Sequence, residues 1–135
     1  MLKDLAEKYY KQGYNCAESI IRAGNEYYDL KLDEQAFRMT GAFGGGLQVG
    51  DICGALSGSA CVISSKYIET KAHECTDLKP IMLKLVRAFQ AQFSSRLCCQ
   101  IKAKFFSKEV HCQNTVAIAS DVLEKIIAEY ESEIK

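Results

Sequence analysis

The chain has 135 residues, 48% of them hydrophobic, with 17 Lys and Arg against 17 Asp and Glu. That length can bury a sufficient core as one domain, expected over residues 1–135, without disulfide staples. A formal net charge of zero leaves no electrostatic footprint for nucleic acid, and the weakly charged stretch 41–65 has an uncharged core too short and too rich in Gly and Ser for a membrane span.

In chain order the pattern is helical throughout. Pro80 is the single proline, and no run of alternating Val, Ile and Thr marks a strand. Leu2, Leu5, Ala6 and Tyr9 recur at helix spacing until Gly13 interrupts them. Asn15 is placed to N-cap a second helix through Ala17, Ile20, Ile21 and Ala23 toward Tyr28. A short third helix is expected over 33–39, stopping at Gly41. Beyond a glycine-rich stretch, Asp51 is placed to cap a buried central helix with Ile52, Leu56, Ser59, Ile63 and Tyr67 facing inward. Thr76 or Asp77 caps the next helix, with Pro80 tolerated in its first turn. Its apolar stripe is Met82, Leu85, Val86, Phe89 and Phe93. The last helix is expected over 109–130, with Val116, Ala119, Leu123, Ile126, Ile127 and Tyr130 on one face. The expectation is an all-α fold: a single compact bundle of five or six helices with a glycine-rich loop before the central one.

Chemistry enters through the cysteines. There are seven, at 16, 53, 61, 75, 98, 99 and 112, and no CxxC pair. The residues from Met1 to Lys8 are charged throughout and have no apolar run of a secretory leader, so a cytoplasmic protein with reduced thiols is expected. There, surplus cysteine points to metal ligation or redox work, against the alternative that free cysteine is a small core hydrophobe. Cys16, Cys53 and Cys112 fall near expected helix beginnings, with Cys53 as second residue of the central helix and Cys112 in the opening turns of the last. Free N–H groups and partial positive charge at a helix start lower a thiol pKa, while Asp51 near Cys53 opposes this by repulsion.

The stretch Gly41-Ala42-Phe43-Gly44-Gly45-Gly46-Leu47-Gln48-Val49-Gly50 is not a phosphate loop. It lacks the closing Gly-Lys-Ser/Thr, the third glycine of a dinucleotide fingerprint and a preceding strand. Its glycines read instead as tight turns or a close approach of backbone to a neighbour. Gly54-Ala55-Leu56-Ser57-Gly58 reads as close packing of a neighbouring helix rather than as self-association.

Taken together, Tyr14-Asn15-Cys16-Ala17-Glu18, Gly41-Ala42-Phe43-Gly44-Gly45-Gly46, Cys53-Gly54-Ala55-Leu56-Ser57-Gly58, Cys98 and Cys112 resemble the C_GCAxxG_C_C family of redox-active proteins over nearly the whole chain. The resemblance implies four signature cysteines, here Cys16, Cys53, Cys98 and Cys112, and a redox or iron–sulfur function. The family label spells Gly-Cys-Ala where this chain has Cys53-Gly54-Ala55. Near the third signature position Cys98 and Cys99 are adjacent, and Cys98 is preferred because Ile101 then follows it by three. Cys61, Cys75 and Cys99 are extras, with core packing as the default for Cys61.

Three mechanisms follow. In the first, Cys16, Cys53, Cys98 and Cys112 bind an iron–sulfur cluster or a metal ion for electron transfer or redox sensing, with His73 and His111 as substitute ligands and His111, beside Cys112, also as an acid–base partner. In the second, a thiol–disulfide couple works without a cofactor, with Cys53 as the attacking, catalytic thiol. In the third, the chain is a helical interaction module with no redox role. Ligation needs all four cysteines, whereas cycling needs two. No triad or carboxylate pair supports a hydrolase. The partner expected is a redox partner rather than nucleic acid or a membrane, and a homodimer would cover an exposed apolar face.

Overall fold

The computed structural model describes residues 1–133, so residues 134–135 of the expected domain lie outside the described residues. Helix α1 (Leu2–Lys11) buries Leu2 and Ala6 and ends before Gly13, whose φ of 105° suits glycine. Helix α2 (Cys16–Tyr28) begins with a reciprocal capping box. Asn15 Oδ1 accepts from the Glu18 N–H at 3.0 Å, and Glu18 Oε1 accepts from the Asn15 N–H at 3.0 Å. Helix α3 (Glu34–Met39) is capped by Asp33, which accepts from the Ala36 N–H.

Where the sequence suggested a glycine-rich loop, the chain folds into a 3-10 turn at Gly41–Phe43 and a π-type turn at Gly46–Gly50. Gly45 before the second turn, and Gly46, Leu47, Gln48 and Gly50 within it, stand at positive φ. Helix α4 (Gly54–Tyr67) follows, and its N-cap is Cys53, not Asp51. The cap is displaced because the preceding residues pair elsewhere: Ile52 bridges to Leu97 in extended backbone, which delays the helix by two residues. Gly54, Ala55, Leu56, Gly58, Ser59, Val62 and Ile63 are all buried, so α4 is covered on more than one side, by α2 and by two helices that follow.

After a 3-10 turn at Ala72–Glu74 come those two packing helices and a shorter one between them: α5 (Leu78–Phe93), α6 (Cys98–Phe105) and α7 (Gln113–Glu133). Asp77 is the N-cap of α5, as expected, and its carbonyl accepts from the Ile81 N–H at 3.2 Å, but its carboxylate makes no cap bond and accepts instead from the Tyr130 hydroxyl at 2.6 Å. Ile81, Leu85, Phe89 and Phe93 of α5 are buried, with Met82 and Val86 partly so. They meet Val116, Ala119, Leu123, Ile126, Ile127 and Tyr130 of α7 in one core. Each fully buried Leu, Ile or Phe there contributes roughly 1.5–3 kcal/mol. Buried hydroxyls are satisfied within their own helices: Ser59 donates to the Ala55 carbonyl and Ser120 to that of Val116.

The fold is thus all-helical among the described residues, with no strand and with seven α-helices where five or six were expected. The unforeseen helix is α6. It has eight residues and no side-chain cap at Leu97, so neither length nor a capping residue announced it.

Candidate functional site

The four cysteines that the resemblance singled out come from four helix starts. Cys16 is the first residue of α2, Cys53 caps α4, Cys98 is the first residue of α6, and Cys112 immediately precedes α7, its carbonyl accepting from the Val116 N–H. All four line one cavity of about 250 Å³. Cys112 is thus at the threshold of the last helix rather than inside it.

Backbone pairing brings these helix starts together. The Cys53 N–H donates to the Arg96 carbonyl at 2.8 Å, and the Cys98 N–H donates to the Asp51 carbonyl at 2.6 Å. This pair of bonds clamps the start of α4 to the start of α6. The Cys112 N–H donates to the Tyr10 hydroxyl at 3.0 Å, tying α7 to α1. On the α2 side, Asn15 Nδ2 donates to the Gly41 carbonyl at 2.9 Å, which draws the glycine turn over Cys16.

Two glycines make the approach sterically possible. A Cβ at Gly54 would stand 2.5 Å from Cys16 Sγ and 2.8 Å from the Phe43 carbonyl oxygen. A Cβ at Gly46 would stand 2.5 Å from the Asp51 backbone and 2.7 Å from Cys98 Cβ. One turn along α4, a Cβ at Gly58 would be 2.9 Å from the Ala17 carbonyl oxygen, so the Gly54/Gly58 face is where α2 packs closely.

Burial governs the electrostatics. The Cys53 thiol is pushed from 9.0 up to about 12, first by burial and then by the neighbouring Cys16, against N–H groups of Ala55 and Leu56 that favour the thiolate. Cys16 is raised by burial, opposed by N–H groups of Gly45 and Ala17. Cys112 is raised by burial and by Cys16, with Lys102 opposing. The lowering expected from helix N-termini is present but outweighed, because removing a thiolate from water costs more than a few N–H groups return. Asp51, expected to repel a Cys53 thiolate, is exposed and is not among the causes of the shift.

The neighbouring cysteines separate cleanly. Cys98 is buried in the cavity wall, whereas Cys99 is exposed. Cys61 is half-buried on α4 and Cys75 donates to the Tyr67 carbonyl, both outside the cavity lining. His111 is exposed at the cavity rim with φ 53° and its ring against Phe106, while His73 lies in the distant 3-10 turn. Sequence reasoning did not find Tyr10, Lys102, Phe106 and Thr115, which also line the cavity. Helix spacing alone carried a hint for Lys102, four residues after Cys98 and therefore on the same side of α6.

Among the described residues, no group of three or more His, Cys, Asp or Glu side chains is arranged to hold a metal ion. A single tetrahedral ion would draw its thiolates to roughly 3.8 Å of one another, given metal–sulfur bonds near 2.3 Å. The four cysteines here line a cavity of about 250 Å³.

No helix among the described residues is long and apolar enough to cross a membrane. No curated protein and no solved structure matches the chain. Residues 14–126 match the sequence model of the family described as "Putative redox-active protein (C_GCAxxG_C_C)". The match takes in all four cysteines of the cavity and most of the chain, which therefore belongs to the C_GCAxxG_C_C family.

Proposed function

We propose that the protein works in electron transfer or redox sensing, with Cys16, Cys53, Cys98 and Cys112 holding an iron–sulfur cluster in the cavity they line. One observation carries this reading: four thiols from four separate helix starts converge on a single cavity of about 250 Å³. Each iron of a cubane cluster takes one Cys thiolate, so the donors must surround a space rather than crowd one ion. The donor chemistry fits. Thiols kept neutral by burial lose their protons on coordination, and the N–H groups of Gly45, Ala17, Ala55 and Leu56 are then placed to donate to thiolate sulfur. A bound cluster would supply one-electron chemistry. The chain's own residues orient the sulfurs, exclude water with Ile101 and Phe106, and set one cation, Lys102, beside the negative charge.

Protein purified without oxygen should contain iron and acid-labile sulfide in matching amounts and absorb in the visible. Replacing any one of Cys16, Cys53, Cys98 or Cys112 by Ser should abolish the colour, while Cys99→Ser should retain it. Colourless, iron-free wild-type protein from such a preparation would sink the reading.

A thiol–disulfide couple is the second reading, favoured by the proximity of Cys16 to Cys53. In it the two thiols give up two electrons and two protons to an oxidant and form one S–S bond. Cys98→Ser and Cys112→Ser would then remain active. A Cys53 thiol held near 12 is a poor standing nucleophile, which places this reading second.

A further inference from the structure

We propose that the face made by α6 and the turns on either side of it docks a small acidic electron-transfer protein. This rests on the redox reading above and names the partner of that site.

Charge is the first argument. Residues 78–108 carry seven Lys and Arg and no Asp or Glu, in a chain whose formal net charge is zero. Within that run Lys102, Lys104 and Lys108 are exposed, and none of them forms an ion pair among the described residues. These three lysines therefore gather on and just after α6, one of the helices that wall the thiol cavity, and the run ends at the exposed Glu109.

Apolar exposure is the second. Val49 is 80% exposed, Leu47 47% and Phe106 41%. Leu47 and Val49 sit on the π-type turn, whose Gly50 lies against Cys99, a Cβ there being 3.4 Å from Cys99 Cβ. Cys99 and Lys102, three apart, are neighbours on α6, and Phe106, the extended residue that ends the helix, has its ring 5.5 Å from the Lys102 ammonium. An apolar strip thus runs from the turn past Cys99 to Phe106, with lysines beside it. Leu47 and Gln48 are held at φ 58° and 66°, a conformation that non-glycine residues adopt at a cost and that clusters at functional surfaces.

Continuity with the cavity is the third. Lys102 and Phe106 belong both to this face and to the cavity lining. A partner seated here would stand one side chain away from the thiols. One electron would cross per encounter, the partner losing what the centre gains or the reverse, with no covalent bond formed. An apolar strip with a basic rim is the anatomy of a small transient protein interface, in which charge steers encounter and the apolar centre excludes water. A nucleic acid would use the lysines but leave the exposed Val49 and Leu47 without a role.

The test is binding of the full chain, by thermophoresis, to two probes: an acidic flavodoxin and an acidic [2Fe–2S] ferredoxin. Binding to at least one probe is expected at low salt, lost in 0.5 M NaCl, and weakened about tenfold or more by the double variant Lys104→Glu/Lys108→Glu and by Val49→Asp. Lys79→Glu, an exposed basic position at the start of α5, should change it less than twofold. Iron content measured on the same samples separates the two ideas. Docking retained by iron-free wild-type protein removes the cluster reading alone; docking absent from iron-replete protein removes this proposal alone. Equal loss in the Lys79 variant, or binding of duplex DNA or phosphatidylglycerol vesicles through Lys104 and Lys108 while both acidic proteins fail, would also overturn it.

Discussion

Gly54 decides how near Cys16 can come to the start of α4. The atoms that a Cβ would meet are a sulfur at 2.5 Å and a backbone carbonyl at 2.8 Å, and the carbonyl cannot swing aside as a long side chain could. Gly54→Ala is therefore expected to cost about 1–3 kcal/mol, the usual range for overpacking, read as a lower urea midpoint. An unchanged midpoint would mean that Cys16 is not held by this contact. The Gly54/Gly58 pattern was legible in the sequence as close helix packing. That the neighbour at one end is a sulfur was not, because spacing within one helix says nothing about what faces it. The thiols show the same limit. Helix-start positions of Cys16 and Cys53 were readable from Asn15 and from the glycines before Cys53, and they suggested lowered pKa values. Burial reverses the sign for both, and burial is a property of the assembled fold.

At the scale of elements, α2 and the glycine turn are coupled through Asn15. Its carbonyl oxygen caps the helix while its amide nitrogen donates to Gly41. Asn15→Ala removes both and is expected to cost about 1–2 kcal/mol. Asn15→Asp keeps the acceptor for the Glu18 N–H, loses the donor to Gly41, and should fall between wild type and Asn15→Ala in urea unfolding. An Asp variant as stable as wild type would show that the link to Gly41 contributes nothing. Asn15 announced its helix correctly as a cap, since a side chain three residues from its N–H partner is a local interaction; the cap role of Asp33, expected only as the start of the third helix, emerged with the structure. Asp77 holds the N-cap position expected of it without a side-chain cap bond, whereas Asp51 lies two residues before the cap of α4. The Asp51 carbonyl serves Cys98, and the Asp77 carboxylate serves Tyr130, partners 47 and 53 residues away. At Asp77 the long-range bond occupies the carboxylate that would cap; at Asp51 the long-range backbone pairing holds the chain extended past the expected helix start.

For the whole molecule, the buried thiols link stability to pH. Unfolded, the Cys53 thiol ionises near 9.0; folded, it keeps its proton to about 12. Cys16, Cys61 and Cys112 are raised in the same direction, chiefly by burial. Between those values the unfolded chain has released protons that the folded chain still holds, so rising pH favours unfolding. Reduced, chelator-treated protein should keep its stability below pH 9 and lose it progressively from pH 9 toward 12, with a smaller loss in Cys53→Ala. A flat urea midpoint across that window would contradict the burial of the thiols.

By itself the sequence determined the all-helical class, the register of α1, α2, α3 and α5, the core stripes, and the family. Each of these rests on spacing within one segment or on residue identities along the chain. Only the tertiary structure decided that Cys16, Cys53, Cys98 and Cys112 share a cavity, that Cys98 faces in while Cys99 faces out, that α6 exists, and that the thiols are raised rather than lowered. These depend on the Ile52–Leu97 bridge, the Cys112–Tyr10 bond and the close approach of α4 to α2. All three join residues dozens of positions apart, and their energies exist only after the helices have packed.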